Sequence, residues 1–359
     1  MLEEDVLLNI MSRTMTDAIE KVIKKLQDAT GITGSYTIEG EEESQEWLQK
    51  LKIEDDKIRL FPNFYAAFTA FNGSNYLILV DHDKSDKEFR IPKYLEELDI
   101  NSGAWVAIIK ELDLPLKKNV DENLKELLDY EWKEDNSRRK KIIFNQKMGR
   151  PEFSLAELFY EISLYKITSK FTQAGSLHQL TGCILIKGAS YRLLPYSDNV
   201  IKEFEDIFEN GSKYIPFENI LASYVASDFK FAYLDLYRCI EKLESLYFLS
   251  ELYKKLSLEN TDTTLLKFCK NIDESIGLHR LDSHMNLLEN LLRSIEIQTK
   301  QNPKKIAEKL FKTRNIIAHL SPNQANELHQ DALYWNERIS SILHLIKILY
   351  DTNQNLFEI

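Results

Sequence analysis

The stretch from Asn302 to Pro322 reads N-P-K-K-I-A-E-K-L-F-K-T-R-N-I-I-A-H-L-S-P and holds the residues best suited to chemistry. Arg314, Asn315 and His319 lie within it. An imidazole, with a reference pKa near ~6.5, moves protons at neutral pH. A guanidinium binds phosphate through a planar fork and stabilises charge as a five-coordinate phosphorane develops. Together they suit phosphodiester chemistry. On RNA the ribose 2′-hydroxyl is the nucleophile, so this chemistry needs no metal or other cofactor. Lys300, Lys304, Lys305, Lys309, Lys312 and Arg314 stand against the single acid Glu308, a local basic strip suited to a phosphate backbone.

These residues need a helix to position them. Asn302 and Pro303 suit an N-cap and a first helical position. Ser321-Pro322 with Gln324 resembles the capped start of a following helix, so a sharp turn is expected after His319. Projected at 100° per residue, Ala307, Leu310, Phe311, Ile317 and Ala318 form an apolar face, and Arg314 falls at its centre. A guanidinium there must reach a carboxylate, a wet interface or an anion. Asn315 and His319 are four apart, so the amide could fix the imidazole tautomer. Arg314 and His319 point apart on one helix, but two copies about a twofold axis could bring both pairs into one cleft.

Arg314-Asn315-Ile316-Ile317-Ala318-His319 resembles the Arg-(four to six residues)-His motif of HEPN domains (higher eukaryotes and prokaryotes nucleotide-binding). The polar residue after the arginine, the late helix of an all-α bundle, the break and the long final helix are similar to that family. The resemblance covers about Leu221–Ile359. It implies a homodimer through the C-terminal bundle whose paired motifs cut RNA without metal, leaving 2′,3′-cyclic phosphate and 5′-hydroxyl ends. By resemblance Arg314 and His319 are catalytic and Asn315 supports them, while Lys304, Lys305, Lys309 and Lys312 are read as RNA-binding. It further implies a toxin or antiviral effector, with a trigger ligand or protein sensed by the N-terminal region.

The fold class expected is α+β overall: an N-terminal α/β domain of unknown topology over residues 1–218, then an all-α, HEPN-like bundle over 219–359. The boundary rests on a composition shift near Pro216–Asn219. Five helices are read after it, over Asp228–Leu256, Asp262–Ser275, Leu278–Thr299, Pro303–Leu320 and Pro322–Tyr350. Leu328, Ala332, Trp335, Ile339, Ile342, Ile346 and Leu349 make the last one cleanly amphipathic. Before the boundary, helices are read over Val6–Ala29, Asp121–Trp132 and Ser154–Tyr165. Strands are read over Ser35–Glu39, Ile58–Phe61, Phe64–Phe71, Tyr76–Asp81, Trp105–Ile109, Lys141–Phe144, Gly182–Ile186 and Ser190–Leu194. Asn72-Gly73 predicts a tight hairpin, and Lys187-Gly188-Ala189 suggests a second.

Composition narrows the function classes. A chain of 359 residues with 43% apolar and 29% charged residues can build two cores and is not disordered as a whole. A net charge of −11 argues against coating nucleic acid non-specifically. Three scattered cysteines suggest neither disulfides nor a thiolate metal site, and apolar runs too short for a bilayer suggest a cytoplasmic protein without a membrane partner.

Other readings compete. Arg314 could pair with Glu241 or Glu244 while His319 merely caps a helix, leaving a non-catalytic nucleotide- or partner-binding and dimerisation module. Arg338 and His344 also fit the motif spacing, but on one continuous helix they should point to opposite sides. Asp81-His82-Asp83 ends an apolar strand and could belong to a metal nuclease, although a polar turn is the simpler reading. Arg138-Arg139-Lys140-Lys141, with Lys147 and Arg150, is a second basic run. His178 and Cys183 read as structural. Tyr334 could stack a base, whereas Trp335 belongs to the core stripe.

Overall fold

A computed structural model describes residues 17–29, 36–39, 42–82, 91–92, 94–117, 140–143, 155–168, 176–188, 191–255, 284–295, 302–318 and 331–357. His319, Ser321, Pro322, Gln324, Lys300, Asp83, Arg138, Arg139, Lys147 and Arg150 lie outside the described residues. So do the helices read over Asp121–Trp132 and Asp262–Ser275. The protein is α+β and divides into two compact units, Met1–Leu177 and His178–Ile359.

In the first unit, helix α1 (residues 17–29) precedes β1 (Tyr36–Glu39), α2 (Glu42–Lys50), β2 (Lys52–Leu60), β3 (Phe64–Phe71), β4 (Ser74–Val80), β5 (Leu95–Leu98), α3 (Ser102–Leu112), β6 (Lys140–Ile143) and β7 (Ile162–Ile167). Five strands form an antiparallel sheet in the order β2-β3-β4-β7-β5, and β1 pairs with β6 in parallel. Asn72 (φ 46°) and Gly73 (φ 73°) make the β3–β4 turn with both central residues left-handed, so Phe71 pairs with Ser74. Ala18, Val22 and Leu26 of α1, with Trp47 of α2 stacked on Phe71 at 3.8 Å, join one core with Ala67 and Ile78 of the sheet.

Two readings here are corrected. Trp105–Ile109 is not a strand; it lies inside α3, capped by Asn101, whose Oδ1 accepts from the Ala104 amide at 2.9 Å. Nearly every α3 residue is buried, so its apolar run has no helical period to betray it. Ser154–Tyr165 is not one helix. Leu155–Leu158 is a single 3₁₀ turn, and Ile162–Ile167 pairs between β4 and β5, where sheet partners override local preference.

The second unit, among the described residues, contains helices only: α4 (Leu177–Leu185, which straddles the division), α5 (Asp198–Asn210), α6 (Phe217–Tyr224), α7 (Phe229–Lys255), α8 (His284–Arg293), α9 (Pro303–Ala318), α10 (Ala332–Thr352) and a closing 3₁₀ turn (Gln354–Leu356). The helical unit thus starts well before the composition shift. Gly182–Ile186 and Lys187-Gly188 are the end of α4 and its turn, not a strand and a hairpin, and Tyr191–Leu194 is irregular. Gly182 is there because the Phe208 ring of α5 lies where a β-carbon would stand. Gln179 Nε2 and Cys183 Sγ both donate to the Phe208 carbonyl, which agrees with the structural reading of Cys183.

Helix α7 is the hub. It packs on α6, α8, α9 and α10 through Ala232, Tyr233, Leu236, Tyr237, Ile240 and Leu243. Trp335, Ile339, Ile342, Ile346 and Leu349 of α10 are all buried, as their spacing predicts. Asp331 caps that helix, accepting from the Leu333 amide. Among the described helices none is long and apolar enough to cross a membrane.

Gly182→Ala is expected to cost about 1–3 kcal/mol, because Phe208 is fully buried and has no room to yield. Denaturant unfolding of the variant checks it. Unchanged stability would show that α4 and α5 are not closely packed.

Candidate functional site

Helix α9 starts as its sequence suggests. Asn302 Oδ1 accepts from the Lys304 and Lys305 amides, and Pro303 occupies the first turn. Its buried stripe is Pro303, Ala307, Leu310, Thr313 and Ile317. Arg314 is therefore not at the centre of the apolar face. Thr313 takes the buried position, returning its hydroxyl to the Lys309 carbonyl at 2.9 Å, and Arg314 sits on the flank with 30% of its side chain exposed.

From that flank Arg314 Nη2 reaches Glu241 Oε1 of α7 at 3.2 Å, and Nη1 donates to Asn315 Oδ1 at 3.0 Å. The carboxylate partner that the sequence named as an alternative is thus present. Asn315 Oδ1 thus helps to orient the guanidinium, while the expected Asn315–His319 contact involves a residue outside those described. Two of the five guanidinium N–H donors are engaged by described residues. One turn along α7, Glu244 is only 2% exposed. Burial, with the neighbouring Glu241 charge, pushes its carboxyl up to about 8, against the pull of Arg314. The structure thus joins Arg314, Asn315, Glu241 and Glu244 into one charged cluster.

The lysines fall elsewhere. At 100° per residue, Lys305, Lys309 and Lys312 share the side of α9 opposite Arg314, and Lys304 lies on the other flank. All four are exposed. Lys305 and Lys309 line a cavity of about 720 Å³ between α9 and α10, with Tyr233, Glu203, Arg338 and His344 also at its walls. Arg338 and His344 consequently face one space, not opposite sides as ideal helix geometry suggested. The long Arg338 side chain folds back over Tyr334, with Cζ 3.5 Å from the ring centroid.

The remaining candidates resolve simply. Trp335 is core at 2% exposure. Asp81 is an exposed turn residue at positive φ (58°), following β4, and His82 is buried beside it. Lys140 and Lys141 belong to β6. Among the described residues no group of three or more His, Cys, Asp or Glu could hold a metal ion. The cavity has no local signal in the sequence because it depends on how helices distant in sequence pack, whereas Glu244 is one of the two carboxylates the sequence itself offers to Arg314.

Two outcomes follow from this geometry. Glu241→Gln should change stability by no more than about 1 kcal/mol, because an ion pair this exposed is screened by solvent. A larger loss in denaturant unfolding would make the pair a structural clamp. For Glu244 the folded pKa lies above the ordinary 4.5, so the folded state holds the proton more tightly than the unfolded chain. Its stabilising contribution is complete below about 4.5 and fades as pH rises towards about 8. Glu244→Gln should therefore raise the melting temperature relative to wild type at pH 8, with the gap closing at pH 5. A gap independent of pH would place the titration elsewhere. No known protein family, curated protein or solved structure matches this chain.

Proposed function

We propose that the helical unit is a metal-independent endoribonuclease of the HEPN type, acting as a homodimer, in which Arg314 and His319 carry the reaction and Asn315 positions the arginine. The observation that carries this reading is the state of Arg314: partly exposed near the C-terminal end of α9, oriented by Asn315, with donors left for an anion beyond those that Glu241 and Asn315 engage among the described residues. In the reaction the 2′-oxygen attacks the adjacent phosphorus as its proton is removed. The bond from phosphorus to the 5′-oxygen breaks, and that oxygen takes up a proton. His319 moves a proton at one of these oxygens, and Arg314 stabilises the phosphorane. The lysines of α9 raise the local positive potential that draws RNA to an acidic protein. A toxic or antiviral role for such an enzyme, set by a trigger at the N-terminal unit, is part of the same proposal.

The Arg314–Glu241 pair favours a second reading. If the pair stays closed, the bundle is a non-catalytic binding and dimerisation module. RNA incubated with the full chain in chelator separates the two. The nuclease reading expects cleavage by wild type and a loss of at least about a hundredfold in both Arg314→Ala and His319→Ala, each with a wild-type melting curve. Equal cutting by either variant, or RNA that is bound but left whole by wild type, would overturn it.

A further inference from the structure

The cavity between α9 and α10 lies away from the Arg314 cluster and does not depend on the nuclease reading. Its floor is Tyr233 of α7 with Leu310 and Leu345, and its walls carry Lys305 and Lys309 from one side and Arg338 and His344 from the other. Three of these are permanent cations. Among the described residues none of the three has a carboxylate within ion-pair distance, whereas Lys347, further along the same α10, is paired with Asp206. Arg338 Nε is buried with no hydrogen-bond partner among the described residues.

The single acid, Glu203 of α5, is tied down rather than opposed to the cations. Its Oε1 accepts from Ser340 Oγ at 2.8 Å and from Asn199 Nδ2 at 3.3 Å. Burial pushes its carboxyl above the ordinary value, against the pull of Ser340, His344 and Asn199. Ser340 and Ser341 add hydroxyls to the rim, and Ser341 is exposed. Unpaired cations converging over an apolar, aromatic floor are the two halves of a site for a charged group on an organic body. The volume, about 720 Å³, suits a molecule of mononucleotide size.

We infer that this cavity binds a small organic phosphate, with Arg338, Lys305 and Lys309 holding the phosphate and Tyr233, Leu310 and Leu345 receiving the organic part. Arg338 Cζ already stands 3.5 Å over the Tyr334 ring, a cation–π contact that restrains the side chain and lowers the ordering cost of holding a phosphate.

The test uses the full chain in calorimetric titrations with adenosine 5′-monophosphate, adenosine and inorganic phosphate. The expected result is saturable binding of the monophosphate, with adenosine and inorganic phosphate each at least about tenfold weaker. Arg338→Gln should weaken the monophosphate about tenfold or more, and the exposed Lys309→Ala, which carries little risk to folding, should weaken it measurably. Arg314→Ala should bind it as wild type does. Adenosine binding as tightly as its monophosphate, no saturable binding of the monophosphate, or full affinity in both Arg338→Gln and Lys309→Ala would overturn the site. So would displacement of the monophosphate by a short RNA without terminal phosphate that itself binds more tightly, because the surface would then belong to a nucleic-acid strand.

Discussion

Helix α9 has one narrow stripe to bury, and this constraint arranges the helical unit. Pro303, Ala307, Leu310, Thr313 and Ile317 are the positions turned inward, and α9 packs on both α8 and α7. A helix with so slender an apolar face cannot hide its cations, because an unpaired charge in a core costs far more than packing returns. Each cation must leave by a flank. Arg314 leaves on one side and meets Glu241 and Asn315; Lys305 and Lys309 leave on the other and border a cavity. Thr313 makes the division possible. A hydroxyl that bonds back to Lys309 can be buried at little cost, which spares Arg314 the central position.

The two flanks have different electrostatic characters. The Arg314 side is balanced: one guanidinium faces two glutamates of α7, one of them held largely neutral by burial. Such a cluster can release or retain its arginine according to what anion arrives, since the pair is partly solvated and weak. The opposite side is unbalanced, with its cations converging on an apolar floor and its acid anchored by Ser340 and Asn199. One helix thus borders both the proposed phosphodiester site and the proposed small-phosphate pocket, with Arg314 serving only the first and Lys305 and Lys309 shared between the pocket and the strip that would draw RNA.

Legibility followed periodicity. The hairpin at Asn72-Gly73, the α7 and α10 helices and the cap at Asn302 could be read locally, because each rests on a turn conformation, a repeat or a cap within a few residues. Where burial is complete the period vanishes, and Trp105–Ile109 in α3 reads as a strand for that reason. Gly182 seemed to favour a strand because its purpose, contact with Phe208, lies in another helix. The short helix α5 was passed over although Ser197 caps it and Val200, Phe204, Ile207 and Phe208 repeat correctly. At the site, the chain showed that Arg314 needed a partner and named Glu241 among the choices. That Lys305 and Lys309 border a cavity, and that Arg338 and His344 share it, depends on how α9 and α10 stand about α7.

The chemistry assigned to Arg314 and His319 leaves a signature in the product rather than in the protein. Mapping the ends of RNA fragments made by the full chain in the presence of chelator reads it directly. The account predicts 2′,3′-cyclic phosphate on one fragment and a 5′-hydroxyl on the other. Fragments ending in 3′-hydroxyl and 5′-phosphate, or RNA that stays whole once divalent ions are removed, would contradict it.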